Sequence, residues 1–175
     1  MATSAPLLLK SKAMNSGSKL DVMLVHEDLP AGRRGKEVLD LVAVNLEPDA
    51  NFLVNLWNFE ILRDPALQDQ AVLDAARADI VLLSAHGRAK LPAAVRAWLE
   101  VWLDRKGDSP CALVVSLDTG VRESTAANSV LSYVHALAWQ AGVEVFPHFG
   151  ATPQAKRDGH ESHSANGHEN ADRKL

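Results

Sequence analysis

With 175 residues, 47% of them hydrophobic and 23% charged, the chain fits one globular domain that buries its core without disulfide or metal staples. The formal charge is −4, and the tail beyond Gly150 is electrically balanced, so the excess acid lies in the folded part; phosphate backbones need clustered cations, which argues against nucleic acid as a partner. No apolar run nears the roughly 20 residues of a membrane span, and the lone Cys111 excludes an intrachain disulfide, so a cytoplasmic protein without a membrane partner is expected.

Residues 1–18 are small and polar, with only the short apolar stretch Leu7–Leu9. A secretory signal has a longer apolar stretch with its positive charges ahead of it, so a disordered leader is expected. The first strand is Leu20–His26, apolar on both faces as a buried parallel strand must be. A helix is expected after Gly32-Arg33-Arg34-Gly35, with Val38, Leu39, Val42 and Leu46 on one face and Pro48-Asp49 as its stop. Asn51 to about Trp57 alternates, with Phe52, Val54 and Leu56 on one side, and reads as an edge strand. Asp64-Pro65 then opens a second helix, Asp64 as N-cap and Pro65 at the first helical position.

The third strand, Ile80–Leu83, ends in Ser84-Ala85-His86-Gly87. Pro92 opens a helix whose Val95, Trp98, Leu99, Trp102 and Leu103 recur at three and four residues, the core-facing stripe of a helix packed on a sheet. Trp98 and Trp102 are core if fully covered and a dimer surface if partly covered. Cys111–Leu117 is the fourth strand, with Cys111 a packed, inert thiol. A helix follows from about Ser124 to Ala141, stopped by Gly142. The fifth strand, Val143 to about Phe146, is ended by Pro147. The polar tail 151–175 carries His160, His163 and His168, whose spacing suits weak metal binding but lacks a rigid scaffold, so a solvated tail is expected.

Strands alternating with helices predict a three-layer α/β sandwich over residues 19–150, with five parallel strands in the order 2-1-3-4-5. In such sheets ligands sit at the carboxyl ends of the strands. There the chain offers Glu27 and Asp28, Trp57 and Asn58, Ser84 and His86, Asp118 and Thr119, and His148. Asp28, His86 and Asp118 are candidates for one crevice, with His86 as acid or base, or with a divalent cation between the carboxylates. Loops are polar in any case because their backbone needs water, and that plainer reading is preferred. Ser84 and His86 lack the glycine-flanked serine elbow of a hydrolase.

Leu91–Arg105, LPAAVRAWLEVWLDR, resembles the helix after the third strand in flavodoxin-like NAD(P)H-dependent FMN or quinone reductases; Pro92, Arg96, Trp98, Leu99 and Asp104 match in kind. The resemblance extends in layout over about residues 19–150. It implies a flavodoxin-like fold and, if function follows, FMN. The positions that would hold FMN are Gly32, Arg33 and Arg34, then Ser84, His86 and Gly87, then Asp118, Thr119 and Gly120. The chain departs from the family at the first loop, where His26-Glu27-Asp28-Leu29-Pro30 sets two carboxylates where a phosphate would settle. It also lacks an aromatic residue beside Asp118 to stack on a flavin.

A second resemblance is to response-regulator receiver domains. It casts Glu27 and Asp28 as the acidic pair that holds Mg²⁺ and Ser116 as the hydroxyl residue of the fourth strand. The phosphoacceptor Asp and the Lys of the fifth strand are missing, so phosphotransfer is not expected. The sequence therefore points to a binding or interaction module without redox turnover, its partner a small molecule or a protein, with a homodimer open. An FMN-dependent reductase and a receiver-like domain are the alternatives.

Overall fold

The computed structural model describes residues 19–45 and 51–151. The expected leader, Leu46, the Pro48-Asp49 stop and the histidines of the tail lie outside the described residues. The elements are β1 (Lys19–His26), α1 (Leu29–Asn45), β2 (Asn51–Asn58), α2 (Pro65–Arg77), β3 (Ile80–Ser84), α3 (Ala93–Arg105), β4 (Ala112–Asp118), α4 (Thr125–Gln140) and β5 (Glu144–Gly150). All neighbouring strands pair in parallel, in the order β2-β1-β3-β4-β5, as expected. None of the described helices is long and apolar enough to cross a membrane.

Strand alternation divides the core in two. Met23, Val25, Val81, Leu83 and Val115 pack against α2, α3 and α4, and Trp98 and Trp102 are fully buried among them. The tryptophan pair is thus core and not a dimer surface. Val22, Leu24, Ile80 and Leu82 face Val38 and Leu39 of α1 on the opposite side. These are the three layers of the expected sandwich. Cys111 is covered well enough that burial pushes its thiol up to about 12, which makes it inert as a nucleophile.

Two boundaries differ from the sequence reading by more than a residue. Helix α1 starts at Leu29, one turn before Gly32-Arg33-Arg34-Gly35. Asp28 caps it, its Oδ1 accepting from the Ala31 amide at 2.9 Å, and Pro30 falls in the first turn, where a missing N–H costs nothing. Strand β5 runs through Pro147 to Gly150. It is an edge strand, and a proline is tolerated there because its missing donor can face away from the ladder. At α2 the expected cap is present, with Asp64 Oδ1 accepting from the Ala66 amide at 2.9 Å.

Candidate functional site

The loops after β1 and β3 are stitched together by carboxylates. Glu27 Oε2 accepts from the His86 amide at 2.7 Å. Asp28 Oδ2 lies 2.8 Å from His86 Nε2 while its Oδ1 caps α1. Burial raises the Asp28 carboxyl, but the Ala31 amide and His86 outweigh it and hold the group below the ordinary carboxylate range. An ionised carboxylate only accepts, so His86 Nε2 carries the proton. His26 is fixed in the same way, its Nδ1 donating to the Asp28 carbonyl at 2.9 Å.

Beneath these loops lies Arg34, fully buried, with Nη2 donating to the Ala85 carbonyl at 2.6 Å. Burial lowers its pKa, and Asp118, Asp28 and Glu27 oppose that shift. The guanidinium stays charged. It is a buried cation shared among three carboxylates, two from the loop after β1 and one from the end of β4. Ser84 Oγ, also buried, donates to the Ala31 carbonyl at 2.7 Å and ties the end of β3 to α1.

On the β4–β5 side, Ser116 Oγ and His148 Nδ1 stand 3.4 Å apart. Burial and the Arg34 charge push His148 below its usual value. Gly150 allows the packing: a Cβ there would stand 2.9 Å from His148 Cε1 and 3.2 Å from Arg34 Cδ. Farther out, Asp118 Oδ1 accepts from the Gly120 amide at 2.9 Å, and Arg88 Nη2 lies 3.7 Å from Asp118 Oδ2. Arg122 sits over the Phe149 ring, 5.2 Å from its centroid. Gly87 turns the loop at φ +72°, against Leu117 and Val121.

The strand order decides the architecture. The fold is flavodoxin-like. Among solved structures, a flavodoxin of Streptococcus pneumonia TIGR4 is similar, with 17% identity and a TM-score of 0.46, covering 78% of this chain and 88% of that one. No family model matches the chain, and no curated protein matches it in sequence.

Within the flavodoxin-like crevice, Asp28 and His86 meet directly, Ser84 is tied to the Ala31 carbonyl beneath them, and Asp118 acts on the same Arg34 charge as Asp28. The flanking Gly87 and Gly120 shape the crevice loops, and Thr119 begins a one-turn 3-10 helix after β4. Two of the positions marked for FMN go elsewhere. Gly32 lies inside the first turn of α1, its amide already donating to the Asp28 carbonyl at 2.8 Å. Arg33 is exposed and points into a groove between α1 and β2. Both placements follow from the earlier helix start. Among the described residues, no group of three or more His, Cys, Asp or Glu side chains is arranged to hold a metal.

Sequence reasoning missed the Arg34–His148–Gly150 packing. The sequence puts His148 at a strand end, but a strand that stops before Pro147 hides its neighbour Gly150. A proline on an edge strand was the signal available.

The amides of a helix start and its preceding loop ordinarily attract anions. Here Asp28 holds the Ala31 amide and Glu27 the His86 amide. The crevice supplies its own anions and balances them with a buried arginine.

Proposed function

We propose that this chain is a binding or interaction module of flavodoxin-like fold that does not turn over a flavin. The observation that carries the reading is the occupation of the Ala31 and His86 amides by Asp28 and Glu27. A flavin phosphate entering there would displace two carboxylates and meet their repulsion. The fold is compatible with FMN, but fold alone does not decide function.

The test is flavin content followed by titration. The purified full chain is expected to be colourless and to leave FMN fluorescence unchanged up to high micromolar FMN. A yellow preparation with close to one flavin per chain would overturn the proposal.

A further inference from the structure

A groove of about 390 Å³ runs between α1 and the edge strand β2, within the roughly 300–1,000 Å³ usual for small-molecule sites. Leu24, Phe52 and Val54 form its floor, and Leu29, Leu39 and Ala43 line its α1 wall. At the upper end the His26 ring, which also lines the groove, packs on Gly32, where a Cβ would stand 3.2 Å from it.

The polar rim has a definite charge. Lys36 and Asp40 neutralise each other at 2.9 Å. Arg33, exposed on the same rim, makes no ion pair among the described residues. Among the described residues, the groove is therefore apolar with one cation on its rim that makes no ion pair.

The strand beside it lacks the usual protection. Asn51–Asn58 contains no charged residue and no proline, and leaves Val54 39% and Leu56 64% exposed. The other edge, β5, carries Glu144 and Pro147. Edge strands are normally blunted by such residues, and an exposed apolar patch beside an unblunted edge marks a surface that something covers.

We propose that this groove binds a small amphipathic monoanion, a medium-chain carboxylate, with its head on Arg33 and its alkyl chain along Leu39, Phe52 and Val54. The proposal rests on the reading of the chain as a binding module. Charge complementarity selects the ligand class. An uncharged chain leaves Arg33 without a counter-charge, and a polyanion brings more negative charge than this one cation can pair.

The test is calorimetric titration of the full chain with laurate below its micelle concentration, beside dodecanol and dodecylammonium, with FMN titrated separately. Laurate is expected to bind at about one per chain and more tightly than either analogue. Arg33→Glu is expected to weaken laurate at least tenfold and leave dodecanol unchanged. Val54→Asp is expected to weaken both. Arg33 and Val54 are exposed, and a thermal melt confirms that each variant folds.

Equal binding of laurate and dodecylammonium, or laurate affinity unmoved by Arg33→Glu and Val54→Asp, would overturn the proposal. So would laurate binding that appears only after residues 1–18 are removed, or only on dissociation of a dimer. Those outcomes assign the groove to the chain's own leader or to a second copy. Failure of laurate without flavin uptake sinks this inference alone; flavin uptake with laurate binding intact sinks the earlier reading alone.

Discussion

Gly35 is where α1 comes closest to the sheet. A Cβ there would stand 2.6 Å from Leu24 Cδ1 and 3.2 Å from Leu82 Cδ2, and both leucines are buried in the core between α1 and the sheet. Overpacking of this kind costs about 1–3 kcal/mol, against which alanine returns up to about 1 kcal/mol of helix propensity. Gly35→Ala is expected to lower the urea midpoint modestly, and Gly35→Val to lower it much further. His148 makes a prediction about pH. Its folded pKa is depressed by burial and by Arg34, so the folded state binds fewer protons than the unfolded chain. Stability contributed this way is complete above the unfolded value of about 6.5 and declines as pH falls toward the folded value. Replacing His148 by Asn is expected to flatten the melting temperature against pH below about 6.5, measured against the parent. Asp28 acts in a lower window. Its carboxylate is favoured by folding, so its share is present above the unfolded value of about 3.9 and is lost in stronger acid.

At the level of elements, the two aspartates that open α1 and α2 do the same work, and only one was legible. Asp64-Pro65 follows a turn and reads directly as a cap. Asp28-Leu29-Pro30 carries nearly the same signature, but the adjacent Glu27 makes the pair look like cation ligands, and Gly32 and Gly35 look like a loop. In the fold those glycines serve helix packing, as contact distances show and composition does not. Asp28→Ala is expected to cost about 1–2 kcal/mol by loss of the cap, while Asp28→Ser retains most of it; chemical denaturation of the two variants separates them. Both lose the His86 contact, so a similar loss in both would show that His86, and not the cap, sets the value of Asp28. The strands were easier to read. Buried parallel strands are apolar throughout, and β1, β3 and β4 have that pattern. The end of β5 escaped because Pro147 reads as a stop in any interior strand.

Across the whole molecule, layers and strand order were legible because helix and strand periodicities alternate clearly and crossover handedness leaves few topologies. The site was legible only as a set of strand ends. Which of them meet depends on side-chain reach: Arg34 crosses beneath two loops, while its neighbour Arg33 turns to the other side of α1. Charge balance within the crevice makes a further prediction. Glu27 and Asp28 are already committed to protein donors, so millimolar Mg²⁺ is expected to leave the melting temperature and Trp57 fluorescence unchanged. A rise of several degrees would restore the receiver-like reading. Finally, Trp98 and Trp102 stack with centroids 5.6 Å apart and planes 14° from parallel, wholly inside the hydrophobic interior. Two indoles held that close couple their electronic transitions. Both rings project from α3 and are held in place by the core around them, so the pair is expected to give a circular-dichroism couplet, an intrinsic chiroptical gauge that weakens as the packing around α3 loosens even where the helix itself persists.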